Sequence, residues 1–128
     1  MLLPHGTLVG VIDAKNFRLF RNTGTEAEPQ LTETDAPRLD THNHSAGSHH
    51  GSVATMTEDA HAIAAVAWLA GEAQAHRLEH LVVIAPPRAL GEIRKHYTKP
   101  LEAALLGDFA KDLADKHAAD ILAQLRGK

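Results

Sequence analysis

Residues 80–97, HLVVIAPPRALGEIRKHY, contain the clearest secondary-structure signal in the chain. The apolar run at 80–87 predicts a buried strand, because it is continuous, rich in β-branched residues and stopped by two prolines. The residues after the prolines predict a helix that Leu90, Ile93 and Tyr97 hold to the core. A buried strand that leads directly into a helix indicates an α/β domain.

Three more strands are predicted near the N-terminus. Residues 7–14 are apolar and β-rich, and residues 17–21 alternate between apolar and basic side chains. The turn residues at 13–16, DAKN, join these two strands into a hairpin. Residues 30–35 form a plausible third strand at an edge. With the strand at 80–87, the pattern predicts a mixed sheet.

A long helix is predicted to precede the strand at 80–87. Thr55 and Glu58 have the Thr-x-x-Glu spacing of a capping box, and the helix extends to about His76. Its predicted core stripe consists of Ile63, Val66, Ala67 and Ala70. The single tryptophan, Trp68, is predicted on the opposite face, where a loop or terminus covers it or a partner contacts it.

The C-terminal third is predicted to be mainly helical. Pro100 suits the first turn of a helix. Residues 105–113 are ambiguous: a four-residue apolar repeat favours a helix, whereas Gly107 is compatible with a short strand. A last amphipathic helix is marked by Ala118, Ile121, Leu122 and Leu125.

Composition sets limits on both fold and function. The chain has 128 residues, of which 44% are apolar, so residues 1–128 are expected to form one domain. There is no cysteine, which excludes disulfides and thiolate metal sites. The formal charge of −3 gives no broad basic footprint for nucleic acid. No signal peptide or membrane-spanning run is apparent, so we expect a cytoplasmic protein with no membrane partner.

Residues 36–55 lack periodicity and contain the stretch HNHSAGSHHG at 42–51. Imidazole is a common ligand of divalent transition metals. The segment therefore has three interpretations: a flexible loop, a specific metal site, or a loop that orders on RNA or protein. The candidate metal ligands are His42, His44, His49 and His50.

Seven cationic residues are candidates for a small RNA- or anion-binding patch, if the fold brings them together. Scattered solvated charges are the alternative. Arg88 follows a strand and begins a helix, where a phosphate group is favoured, but it has the spacing to pair with Glu92 instead. The candidates are Lys15, Arg18, Arg21, Arg88, Arg94, Lys95 and Lys99.

Three stretches carry a resemblance to a known family. They are MLLPHGTLVGVIDAKNFRLFRNTG at 1–24, VVIAPPRALGEIRKHY at 82–97 and GDFAKDL at 107–113. They resemble the bacterial host attachment protein family, and the likeness covers roughly residues 3–126. That family is similar to the middle domain of archaeal and eukaryotic release factors and of Pelota-like ribosome rescue factors.

The resemblance implies a ribonuclease-H-like fold, in which a mixed sheet is flanked by helices, and a strand within 105–113. It also implies a role in attachment to host cells and partners in translation. Release factors of this kind carry a Gly-Gly-Gln loop, which helps water attack the peptidyl ester, before the first long helix. The corresponding stretch has only Gly47 and Gly51, separated, and no glutamine.

The expected function is therefore a non-catalytic, translation-associated binding module. It would contact the ribosome or RNA through residues 42–52 and the nearby basic side chains, and it would require no cofactor. One alternative is a metal-dependent hydrolase that uses the histidine-rich loop. Another is a protein-interaction module or homo-oligomer that uses the face of Trp68.

Overall fold

The computed structural model describes residues 1–39 and 53–127. The strands are β1 (Leu8–Ile12), β2 (Phe17–Asn22), β3 (Leu31–Thr34), β4 (Leu81–Ala85) and β5 (Leu105–Ala110). The helices are α1 (Val53–Gln74), α2 (Pro87–Arg94), α3 (Lys99–Ala104) and α4 (Ala118–Arg126). In this part of the chain, no helix is long and apolar enough to cross a membrane.

The strands form one mixed sheet in the order β3-β2-β1-β4-β5. The predicted hairpin is confirmed, because β1 and β2 pair antiparallel and the turn at 13–16 connects them. The predicted edge position of β3 is confirmed as well. β4 lies parallel to both β1 and β5. The α/β class and the mixed sheet predicted from the sequence are thus both correct.

Apolar side chains cover both faces of the sheet. On one face, Leu8 and Val83 pack with α1, α2 and α3. On the other face, Val9 and Ile84 pack with α4 through Ile121. Every residue of β1 and of β4 is buried, which explains why both strands read as continuous apolar runs.

The predicted core stripe of α1 is wrong in part. Ala67 is exposed, and the residues that the helix buries are shifted around its axis. They include Ala62, Ala65, Val66, Leu69 and Ala73. α1 is alanine-rich and apolar on several sides, so its sequence periodicity does not define one face. Gly10 of β1 makes room for this face: a Cβ atom there would lie 3.3 Å from Leu69 Cδ1.

This rotation also changes the position of Trp68. The prediction that its ring lies opposite the core is wrong, because Trp68 is half-buried against the margin of the core that α1 covers. Its ring meets Phe17 of β2 edge to face, with 6.0 Å between centroids and an interplanar angle of 71°. The hairpin therefore covers part of this side chain.

The helical interpretation of residues 105–113 is wrong. Residues 105–110 form β5, as the resemblance implied, and α3 ends at Ala104 immediately before it. A strand is favoured because its pairing satisfies the backbone N–H and C=O groups along one side of β4, whose residues are all buried. Gly107 makes room for Met1, since a Cβ atom at this position would lie 2.9 Å from Met1 Cε.

α1 begins earlier than predicted and ends close to the predicted position. The helix begins at Val53, inside the segment predicted to be irregular, and the side chains of Thr55 and Glu58 lie outside the described part. It ends at Gln74, and His76 adopts a left-handed conformation with φ of 59°. The N–H groups of His76 and Arg77 donate to the carbonyls of Ala73 and Glu72, at 3.1 and 2.9 Å. This is the Schellman arrangement that closes many helices.

Candidate functional site

The carboxyl ends of β1 and β4 lie side by side because these two strands are parallel neighbours. β1 leads into the turn at 13–16, and β4 leads through Pro86 into α2. Ligands of open α/β sheets bind outside this edge. A cleft at this edge, here called the carboxyl-edge cleft, is the candidate site. It is lined by Ala14, Asp59, Pro86, Arg88 and Ala89.

The Asp13 carboxylate is committed to the turn beside this cleft. Its Oδ1 accepts hydrogen bonds from the N–H groups of Lys15 at 2.8 Å and Asn16 at 2.6 Å, and Oδ2 accepts one from the Asn16 amide. Burial acts to raise the pKa of Asp13, but these hydrogen bonds outweigh it and hold the pKa below its usual value. The carboxylate thus fixes the turn that carries Lys15.

His61 connects the same turn to α1. Its Nδ1 lies 2.9 Å from the carbonyl oxygen of Asp13. A carbonyl can only accept, so Nδ1 carries the proton and donates it to this bond. The contact makes the turn and the first half of α1 one wall of the site. No motif in the sequence signals it, because it depends on the angle at which α1 crosses β1.

Arg88 is the charged side chain most available at the cleft, since 65% of its surface is exposed. Its Nη2 lies 3.5 Å from Oδ2 of Asp59, a long contact for an ion pair near water. The predicted pairing of Arg88 with Glu92 is wrong, because Glu92 binds Lys95 at 3.1 Å. The guanidinium can therefore turn towards a ligand at small cost.

The beginning of α2 adds to the positive character of the cleft. The N-cap residue is Pro86, which has no side chain able to cap the helix, and Pro87 has no N–H group. The first backbone bond is donated by Leu90 to the Pro86 carbonyl at 2.8 Å. The N–H groups of Arg88 and Ala89 therefore precede the helical ladder, at a helix end that favours anions.

Arg18 and Arg94 each make several hydrogen bonds within the described part of the protein. Arg18 donates two hydrogen bonds to Glu33, and further bonds to the carbonyls of Ala114 and Lys116 at 2.9 and 2.6 Å. These contacts hold β3 and the segment before α4 to the hairpin. Arg94 donates two bonds to Asp108 at 3.0 and 2.7 Å. Both guanidinium groups are thus part of the internal bonding of the fold.

The remaining cations do not gather at one place. Arg21 is paired in register with Leu8, at the opposite end of β1 from the cleft, and donates to the Gly6 carbonyl. Lys95 and Lys99 lie where α2 passes into α3. Lys15 follows Ala14, which lines the cleft. Of the seven candidates, Arg88 lines the cleft and Lys15 adjoins a lining residue.

The remaining candidates are not tested by this geometry. His42, His44, His49 and His50 lie outside the described residues, so a metal site there stays a prediction. Elsewhere, in 1–39 and 53–127, no group of three or more potential ligands is arranged to hold a metal ion. A partner contact at Trp68 also stays a prediction, with part of the ring already against Phe17.

The chain is an α/β protein whose mixed sheet has a cleft outside the carboxyl ends of two parallel strands. The family model for bacterial archaeo-eukaryotic release factor family 12 matches residues 6–125, and the chain belongs to this family. The predicted release-factor relationship is therefore confirmed. No curated protein and no solved structure matches the chain.

Proposed function

We propose that this protein is a non-catalytic, translation-associated module that binds the ribosome or RNA through the carboxyl-edge cleft. The observation that carries the proposal is the position of Arg88. Its exposed guanidinium adjoins the uncapped N-terminus of α2, outside the ends of two parallel strands. A phosphate oxygen at this position would accept from the guanidinium and from the first amides of the helix.

Membership of a release-factor family supports a partner in translation. The mixed sheet, in which an antiparallel hairpin is followed by parallel strands, supports assignment to the ribonuclease-H-like class. The chain contains no Gly-Gly-Gln sequence, which supports binding without peptidyl-ester hydrolysis. A cytoplasmic location follows from the same proposal, and the host-attachment role stays a prediction from resemblance.

The site joins fixed and adjustable parts. The turn that presents Lys15 is fixed by Asp13 and by the His61 bond to α1. The Arg88 side chain is adjustable, because its single ion pair is long and exposed. The segment at 42–52 precedes α1, whose Asp59 lines the cleft, so we propose that it reaches the same partner.

Co-sedimentation with bacterial ribosomes tests this function. Wild-type protein is expected to pellet with ribosomes at low salt and to be released as salt rises, because phosphate contacts depend steeply on ionic strength. Arg88→Gln should weaken pelleting, and adding Lys15→Gln should weaken it further. Replacing His42, His44, His49 and His50 by alanine should reduce it if the segment contributes.

Arg126→Gln is the matched control. Arg126 is exposed in the last turn of α4, on the other face of the sheet, and its replacement removes the same single charge. If Arg126→Gln lost as much pelleting as Arg88→Gln, the loss would be an effect of net charge and not of the carboxyl-edge cleft. Absence of pelleting by wild-type protein at low salt would contradict the proposed function.

The same preparations separate the two alternatives. A metal-dependent hydrolase predicts stoichiometric transition metal in untagged protein, lost when the four histidines are replaced. A homo-oligomer through the Trp68 face predicts a solution mass above that of one 13.8 kDa chain, which falls on Trp68→Ala. Monomeric, metal-free protein that pellets with ribosomes would contradict both.

A further inference from the structure

A second cleft lies at the opposite edge of the sheet, where β1 and β4 begin. It has a volume of about 270 Å³, and we call it the amino-edge cavity. Its lining is rich in side chains that carry, or can gain, positive charge. It is lined by His5, Gly6, Arg21, His76, Arg77, Leu78, Glu79 and His80.

The sheet topology explains why these residues meet. β1 and β4 are parallel and begin side by side, so the residues before each strand lie together. His80 immediately precedes β4, and its carbonyl accepts a bond from Leu8 at 2.9 Å. β2 runs in the opposite direction, which brings Arg21 near the end of that strand to the same edge. The segment before β1 supplies His5, and the connection from α1 to β4 supplies His76, Arg77 and Glu79.

The bonding of the lining side chains leaves donors for a ligand. Arg21 is half-buried and donates to the Gly6 carbonyl at 2.9 Å, which uses one of its five N–H groups. His5 Nδ1 lies 2.6 Å from the Gly24 carbonyl, so Nδ1 is the protonated nitrogen and Nε2 can take a second proton. Arg77 is held by Glu72 at 2.9 Å.

His76 supports a functional interpretation of this cavity. It occupies the left-handed position after α1, where glycine is the usual residue. A side chain with a Cβ atom is disfavoured in this conformation, and histidine, like asparagine, is one of the few such residues enriched there. The imidazole makes no hydrogen bond among the described residues, yet His76 lines the cavity together with Arg21 and Arg77. A contribution of His76 to ligand binding would explain why histidine, rather than glycine, occupies this position.

We propose that the amino-edge cavity is an anion site that takes a phosphate group. Arg21 and Arg77 supply guanidinium donors, and His5, His76 and His80 supply imidazoles whose protonation strengthens the site. Two arginines disfavour a cation, and among the described residues no three ligands converge on a metal position. The proposal does not depend on the ribosome-binding function, which uses the other edge of the sheet.

Inorganic sulfate is the first probe, because its charge stays constant between about pH 6 and pH 8, where imidazoles gain and lose protons. Titration followed by the NMR signals of the histidine rings is expected to shift those of His5, His76 and His80. The signals of His96 and His117, exposed elsewhere, should not move. Binding should be tighter at the lower pH. The charged groups around the three imidazoles are Arg21, Arg77 and Glu79, with Glu72 behind Arg77.

His76→Asn is the test variant, because asparagine tolerates the left-handed conformation and cannot become positively charged. Loss of a charged hydrogen bond predicts affinity for sulfate lower by roughly tenfold. His96→Asn is the matched control and should bind as wild type does. Equal shifts of all histidine signals, equal affinity at both pH values, or unchanged binding by His76→Asn would each overturn the proposal.

Two further probes identify the source of the phosphate. A short RNA with a 5′-phosphate and the same RNA without it are each added to the sulfate complex. Displacement of sulfate by the phosphorylated RNA alone would assign the site to an RNA end. Displacement by inorganic phosphate, with neither RNA competing, would assign it to a free phosphate or a small phosphorylated molecule. Failure of phosphate and of both RNAs to displace sulfate would contradict a phosphate site.

Discussion

Arg94 and Asp108 are joined by two hydrogen bonds, 3.0 Å from Nε and 2.7 Å from Nη2 to the carboxylate. The Tyr97 hydroxyl donates to the same carboxylate at 2.9 Å. The bonds from Arg94 hold the pKa of Asp108 below its usual value. Burial, and then the bond to Asp108, raise the pKa of Tyr97. The cluster ties the end of α2 to the edge strand β5.

Tyr97 is the only tyrosine in the chain, so tyrosinate absorbance reports on it alone. Its pKa is raised on folding, so the stability that its neutral form contributes is complete below the unfolded value of about 10 and is lost at higher pH. We expect no tyrosinate in the folded protein at pH 10. Its absorbance should rise only at higher pH, together with loss of the circular dichroism signal.

Two variants of this cluster should act in opposite directions. Asp108→Asn removes the negative charge beside the hydroxyl and should lower the pKa of Tyr97. Arg94→Gln removes a positive charge that favours the tyrosinate and should raise it. Shifts in the same direction, or a wild-type midpoint at the ordinary value, would contradict the assigned roles of these side chains.

Arg18→Lys should destabilise the protein by about 1–2 kcal/mol. An ammonium group cannot donate two parallel hydrogen bonds to Glu33 and also reach two carbonyls. Glu33→Gln should cost less, since the carboxylate is half-exposed and the carbonyl bonds remain. Urea unfolding measures both.

Arg18 holds the pKa of Glu33 below its usual 4.5. The difference between wild type and Glu33→Gln should therefore shrink as pH falls below that value.

The same substitution should have opposite effects at two glycines. Gly10→Ala places a methyl group 3.3 Å from the buried Leu69 Cδ1, and overpacking of this kind costs about 1–3 kcal/mol. Gly91→Ala in α2 meets nothing within 4 Å and should stabilise by about 0.5–1 kcal/mol. Thermal unfolding of both variants tests this. Equal stability at Gly10 would mean that α1 is free to shift on the sheet.

The strands β1 and β4 were predicted correctly because burial on both faces gives each of them a continuous apolar sequence. The face of α1 was predicted less well, since alanine fits either side of a helix and the contact of Leu69 with Gly10 joins distant parts of the chain. The strand at β5 was favoured only by the family resemblance. Its own apolar repeat suited a helix as well.

For the candidate site as well, features within one short segment were predictable and contacts between distant segments were not. Arg88 could be assigned to a strand–helix junction because the junction lies in one short segment. Its contact with Asp59 and the bond from His61 to the Asp13 turn were not predictable, because both depend on how α1 crosses the sheet. The amino-edge cavity was not predicted, because no local sequence pattern shows that the residues before β1 and β4 are neighbours in space.

His76→Gly should stabilise the protein while weakening its anion site. Glycine adopts the left-handed conformation without a steric penalty, and the cost of its greater freedom in the unfolded chain offsets part of the gain. The net gain should be about 0.5–1 kcal/mol in urea unfolding. His76→Ala is the control. It removes the imidazole but keeps a Cβ atom in the strained conformation, so it should gain no stability.

Both variants should lose affinity for sulfate, because both lack the imidazole in the amino-edge cavity. The pairing of a stability gain with a binding loss in His76→Gly would explain why a less favourable residue is present at this position. Stabilisation by His76→Ala equal to that by His76→Gly would show that the imidazole itself, rather than the backbone conformation, is unfavourable. Undiminished sulfate binding in both variants would remove His76 from the site and leave its conformation without a functional reason.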